Sequence, residues 1–211
     1  MELAVRIMTM KNRARLVVFL GIIGTIVLMQ WLPATASPVY VFPVTGCEVN
    51  YARAHHDYPA TDILAKAGCK FVAPTSGVVD EVNRVDIWSG KTNLGADRGG
   101  LYVSIIGDDG VRYYGSHLRS IPKSIQPGAV VAAGRVLGAI GATGSARGTA
   151  PHVHFGISWP TPIDAGAWWV RRGEVFPWKY LDAWKAGRDL SPVKEVSAKK
   201  LKLGEIPPVP K

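Results

Sequence analysis

The chain has 211 residues, 47% of them hydrophobic and 19% charged, with 15 Pro, 23 Gly and 2 Cys. That length suits one domain with extensions, and the apolar content excludes wholesale disorder, a collagen-like repeat and a multi-disulfide miniprotein. Lys and Arg outnumber Asp and Glu by 25 to 16, a formal charge of +9 with neutral His. An anionic counterpart is therefore expected: nucleic acid, lipid headgroups or an acidic polymer.

Lys11, Arg13 and Arg15 precede an almost wholly aliphatic run from Leu16 to Met29, followed by Gln30-Trp31-Leu32-Pro33 and Ala34-Thr35-Ala36. A basic flank, a short apolar stretch and a small-x-small exit are the parts of an export signal, with cleavage expected after Ala36. Leu16 to Leu32 also reaches the lower limit of a bilayer span, about 17 residues. An uncleaved anchor is thus the competing reading, in which the protein meets the membrane through this segment alone. Removing residues 1–36 takes away Arg6, Lys11, Arg13 and Arg15 and one negative charge, Glu2, so the net charge falls from +9 to +6. Export bears on Cys47 and Cys69 too. An oxidising exterior allows them to pair, closing a loop around the His-rich segment and restricting the unfolded chain; two isolated buried thiols are the alternative.

From residue 71 the chain reads as short strands punctuated by glycine. Phe71-Val72-Ala73-Pro74 reads as a buried strand and Gly77-Val78-Val79-Asp80-Glu81-Val82 as an alternating one. Leu101 to Ile106 and Val111 to Tyr114 form a hairpin about Gly107-Asp108-Asp109-Gly110, which places Asp108 and Asp109 as turn residues. Gly128, Gly134, Gly138, Gly141 and Gly144 cut Val130-Val131 and Val136-Leu137 into pieces too short for helices. Many short strands with tight turns imply an all-β sandwich or barrel. Trp178 to Trp184 has apolar residues at helical spacing after Pro177, so a short helix is expected there. The organisation expected is a signal or anchor over 1–36, one domain over 37–187, and a flexible basic Pro- and Lys-rich tail over 188–211.

All five histidines lie between residues 55 and 154: His55-His56 ahead of Asp62, His117 at the end of a predicted strand, and His152-Val153-His154. On a strand, residues i and i+2 share a face, so His152 and His154 aim into one cleft while Val153 packs inward. A hydrolytic zinc site takes about three N or O protein ligands and leaves a position open. His56, Asp62 and His154 supply two imidazoles and a carboxylate without a thiolate. His117 and His152 then stand beside the metal, one to take a proton and the other to stabilise an oxyanion.

Ala60-Thr61-Asp62-Ile63, Ala73 to Val79, Tyr113 to Leu118, Gly141-Ala142-Thr143-Gly144 and Pro151 to Phe155 occur in the order found in lysostaphin-type (LytM-like) zinc metallopeptidases, which the chain resembles from about Cys47 to Ile157. The resemblance implies a Gly-punctuated antiparallel β-sandwich of barrel-sandwich hybrid, duplicated-hybrid-motif type. It also implies a peptidoglycan endopeptidase that binds one Zn²⁺ through His56, Asp62 and His154 and uses His117 and His152 in catalysis, with His152 the general base and the two roles exchangeable. Those relatives commonly place three residues between the first His and its Asp; here Tyr58 holds that first position. His56 is preferred over His55 because it closes the smaller chelate loop. The expected setting is outside the cytoplasm, as a periplasmic, wall-associated or extracellular protein against peptidoglycan and anionic cell-wall polymers. Nucleic acid finds no motif. The alternatives are a catalytically silent wall-binding or hydrolase-activating protein of the same fold, and a lipoyl- or sugar-phosphotransfer-type carrier, for which no hairpin-tip Lys is present. Gly141 to Gly148 reads as a mobile rim of the cleft, Arg147 as solvated, and Trp159, Trp168 and Trp169 as core.

Overall fold

Runs of β-branched and aromatic residues bounded by glycine become strands from residue 44 to residue 158. The computed structural model describes residues 39–209 apart from Asp57, with Ile163 described by its backbone alone; the signal or anchor expected over 1–36 lies outside the described residues. Among the described residues no helix is long and apolar enough to cross a membrane. The strands are β1 (Val44–Thr45), β2 (Asn50–Tyr51), β3 (Thr61–Leu64), β4 (Lys70–Val72), β5 (Gly77–Asn83), β6 (Leu101–Gly107), β7 (Arg112–Ser120), β8 (Val130–Val131), β9 (Val136–Ile140) and β10 (His152–Ser158).

All their pairings are antiparallel. The main order is β1-β4-β9-β7-β10-β3-β2, and β6, β5 and β8 branch from β7. The mostly-β, antiparallel architecture is the one expected, built as a single curled and branched sheet. The β6–β7 hairpin turns where Asp109 accepts hydrogen bonds from the Val111 N–H and from the hydroxyls of Tyr113 and Tyr40. Val79, Ile105, Tyr113, Leu137, Phe155 and Ile157 meet in one buried cluster, each aliphatic or Phe side chain contributing roughly 1.5–3 kcal/mol. A Cys47–Cys69 disulfide ties the end of β1 to the start of β4.

Among the described residues three α-helices follow the sheet: α1 (Trp168–Arg171), α2 (Trp178–Lys185) and α3 (Val193–Leu203). The expected helix after Pro177 is α2, which buries Tyr180, Leu181, Ala183 and Trp184. Trp184 stacks on Tyr40 with ring centroids 5.4 Å apart.

The tail expected to be flexible over 188–211 is instead ordered through the described part. In α3, Val196 is buried and Val193 and Leu203 pack on the core, while Glu195 accepts from the Tyr180 hydroxyl at 2.6 Å and pairs with Lys179 at 2.5 Å. Beyond it, the Trp159 and Trp169 indole N–H groups donate to the carbonyls of Glu205 and Pro207 at 2.8 and 3.0 Å. Three apolar contacts among lysines are a weak sequence signal, and the helix with the segment after it depends on partners 15 to 46 residues away in sequence rather than on its own propensity.

Candidate metal centre

Register assembles the site. On β3, Thr61 and Ile63 are buried in the protein and Asp62 faces the other way. Asp62 stands opposite His154 of β10, and His154 opposite Ser116 of β7, so the three side chains form a row across neighbouring strands on one face. His152 lies two residues along on that face, opposite Leu64, and Val153 points into the core with no exposure.

His117 reaches the same face by a different device. Leu101 pairs with Leu118 and Val103 with Gly115, so Ser116 and His117 together oppose Tyr102 alone. This bulge resets the alternation: Ser116 and His117 both line the cleft, and Leu118 returns to the core. His117 has φ +65°, a left-handed conformation that costs a non-glycine residue about 1–3 kcal/mol and that the surrounding sheet must enforce.

The row opens on a cleft of about 880 Å³. His55, Asp62 and His154 place one ligand atom each within 4.8 Å of one another. The expectation that His56 completes this set is corrected: the His55 side chain is 5% exposed and turned inward, while His56 is exposed and meets His55 edge to face. The choice of His56 rested on loop length, but one residue changes closure entropy by only about 0.1 kcal/mol. The direction in which the loop turns its side chains decides instead.

Hydrogen bonding fixes the tautomers. His154 Nε2 lies 2.9 Å from the Arg172 carbonyl oxygen, which only accepts, so Nε2 carries a proton. His154 Nδ1 then faces Asp62 Oδ1 at 3.0 Å. Two lone-pair-bearing atoms that close require either a second proton on His154 or a cation shared with them. His55 Nδ1 is buried with no hydrogen-bond partner among the described residues, and burial pushes its imidazole down to about 4, so it stays neutral. Burial also works against ionisation of Asp62, but the hydrogen bond from His154, the charge of His154 and that of His152 outweigh it and hold the carboxyl well below the usual carboxylate range. A neutral imidazole with a bare nitrogen, an ionised carboxylate and a second imidazole whose far N–H is tied to a carbonyl fit a divalent zinc ion.

His117 and His152 have ring centroids 4.9 Å apart beside this cluster. Their Nδ1 atoms lie 2.8 Å from the carbonyls of Thr143 and Ala150, so each donates there and leaves Nε2 as the working nitrogen. Burial pushes His117 down to about 3.

The rim over Gly141 to Gly148 is tethered: Thr143 donates to the Leu118 carbonyl, and the Gly144 N–H donates to Asp86 at 3.0 Å. Arg147 is exposed, as expected, and also pairs with Asp86 at 2.8 Å. Trp159 is core as expected, and Trp169 packs on the core partly buried.

Sequence reasoning passed over Arg172, which lies outside the 47–157 motif core and has no neighbour in sequence to mark it. Its carbonyl reaches His154 only because Gly156 and Gly173 let backbones meet. A Cβ at Gly156 would collide with that carbonyl, and Gly173, at φ +140°, lies against the Pro59 carbonyl.

The profile of Peptidase family M23 matches residues 56–165. No curated protein matches the chain. Among solved structures, one assigned as a glycyl-glycine endopeptidase LytM from Ruminococcus gnavus is 23% identical, with a TM-score of 0.52 over 72% of this chain and 62% of that one. The antimicrobial peptidase lysostaphin from Staphylococcus simulans is 22% identical, with a TM-score of 0.50 over 75% of this chain and 60% of that one. An M23 peptidase from Pseudomonas aeruginosa is 24% identical, with a TM-score of 0.49 over 69% of this chain and 51% of that one. The chain thus spans about half to three-fifths of the length of these structures.

Proposed function

The chain belongs to peptidase family M23, and from that premise we propose that it is an exported zinc metalloendopeptidase that hydrolyses peptide bonds in peptidoglycan stem or cross-bridge peptides. The observation that carries this reading is the convergence of His55, Asp62 and His154 within 4.8 Å, on the wall of a cleft that also holds His117 and His152. His55, Asp62 and His154 would hold one Zn²⁺. What zinc supplies there is Lewis acidity, which polarises a scissile carbonyl and makes water a nucleophile near neutral pH.

The remaining chemistry falls to the protein. The Arg172 carbonyl holds His154 in one tautomer, and Asp62 keeps its charge because its neighbours favour it. His152, with Nδ1 tied to the Ala150 carbonyl and Nε2 bare, suits the general base, taking a proton from attacking water and returning it to the leaving amine. His117 has the same arrangement, Nδ1 on the Thr143 carbonyl and Nε2 bare, and lines the same cleft, so the roles of general base and oxyanion donor are exchangeable. The Cys47–Cys69 disulfide and the surplus of basic residues are consistent with an oxidising compartment outside the cytoplasm and with anionic wall polymers.

The test is digestion of purified cell wall by the full chain, with and without a chelator, followed by mass analysis of the released fragments. Chelator-sensitive release of peptides with new amino termini is expected. Wall binding without release, by protein that retains zinc, would establish the catalytically silent alternative.

A further inference from the structure

The arginines around the cleft differ in how their charge is used. Arg112 pairs with Asp80, Arg147 with Asp86 and Arg171 with Glu81. Arg172, next in sequence to Arg171, has no carboxylate within ion-pair distance among the described residues. Its guanidinium is nevertheless held firmly. It lies over the Tyr58 ring at 4.6 Å and the Trp168 ring at 5.4 Å, and Nη2 donates to the Tyr58 hydroxyl at 2.7 Å.

Stacking removes rotamer freedom in advance and leaves the remaining N–H groups along the guanidinium edge for a ligand. Both Arg172 and Tyr58 line the cleft, and the Tyr58 ring centroid is 4.5 Å from that of His55 and 5.7 Å from that of His154. The described lining of the cleft is short of negative charge. Among the described residues Asp62 is its only lining carboxylate, and that group is committed to the histidines, whereas Arg98 and Arg172 both line it.

We infer that Arg172 is the recognition site for a substrate carboxylate, and that the peptide cleaved here carries a free carboxylate next to the scissile bond rather than being an uncharged bridge. The inference rests on the endopeptidase reading above. The planar guanidinium presents paired N–H donors that match both oxygens of a carboxylate, and it stands close enough to the metal ligands to fix the position of the peptide between them. Only the side chain is involved; the backbone carbonyl that orients His154 survives any substitution of residue 172.

The experiment compares native purified cell wall with wall whose carboxyl groups have been converted to amides, using the zinc-loaded full chain, Arg172→Gln and Arg172→Lys. The wild type is expected to release fragments from native wall about tenfold faster at limiting substrate. Arg172→Gln should lose that preference through a higher KM with zinc content unchanged, and Arg172→Lys, which keeps the charge without the fork, should fall between them. Calorimetric titration of the full chain in chelator with acidic wall peptides and their amidated forms provides a readout independent of turnover, with tighter binding of the acidic form expected. Equal treatment of native and amidated substrates by the wild type overturns the inference and leaves the endopeptidase reading intact, as does a preference that persists in Arg172→Gln. Should the zinc-loaded wild type cut neither wall, the endopeptidase reading itself falls and this inference with it.

Discussion

His55 and His56 are adjacent in sequence and opposite in environment, and their difference is the sharpest test of the metal site at the scale of single residues. His55→Ala removes an inward-facing imidazole beside Asp62 and His154, so zinc bound per chain, measured by atomic emission after dialysis, should fall toward zero. His56→Ala removes an exposed ring and should leave zinc content and wall hydrolysis close to wild type. The reverse pattern would return the ligand role to His56. Gly156→Ala probes the support behind the ligands. The added methyl would displace the Arg172 carbonyl and free His154 Nε2, and loss of such an orienting hydrogen bond typically costs about 10–100-fold in metal affinity. Competition with a chelating dye would measure it, and unchanged affinity would show that the carbonyl contact is dispensable.

Among elements, β7 and the C-terminal helix are the ones whose behaviour exceeds what their sequences announce. The β7 bulge presents two consecutive residues to the cleft, which no regular strand can do. Packing of α3 brings Lys199 toward Glu174, a carboxyl 8% exposed that follows the Gly173 turn. Burial pushes Glu174 up to about 7, and the Lys199 ammonium offsets only part of this. Because the folded state holds the proton more tightly than the unfolded chain, stability is full below the ordinary value near 4.5 and is lost as pH rises toward about 7. The loss is at most roughly 3 kcal/mol. Glu174→Gln should therefore flatten the decline in melting temperature between these pH values and stabilise the protein at pH 8. Chemical denaturation at both ends of the window would check it, and a variant with the same slope as wild type would refute the assignment.

For the whole molecule, the disulfide is the covalent tie. It closes a loop of 22 residues in sequence separation that contains β2, His55, Asp62 and β3. A loop of that length is worth about 3 kcal/mol through the unfolded chain. Reduction, or Cys47→Ser with Cys69→Ser, should lower the melting temperature by roughly 10 °C. It should also weaken zinc retention, because two of the three ligands lie inside the loop. A reduced protein with unchanged melting temperature would show that packing alone holds the segment.

The sequence by itself determined much about this protein. Glycine punctuation and alternation led to an antiparallel β fold, the hairpin about Asp108-Asp109 and the helix at Trp178, because these depend on local turn chemistry and side-chain period. His-x-His on a strand, with Asp62 and motif order, was enough to identify the family and bring His154, Asp62, His117 and His152 into one cleft. Tertiary structure alone decided the rest. Whether His55 or His56 faces Asp62 depends on how an irregular loop turns against β10, and loop length is almost blind to it. The left-handed His117 is enforced by pairing with β6. Arg172 joins the site only because Gly156 and Gly173 allow distant backbones to touch, and α3 forms because Tyr180 and the core under Val196 receive it, with Trp159 and Trp169 holding the segment that follows. These are contacts between segments far apart in the chain, and no local pattern encodes them.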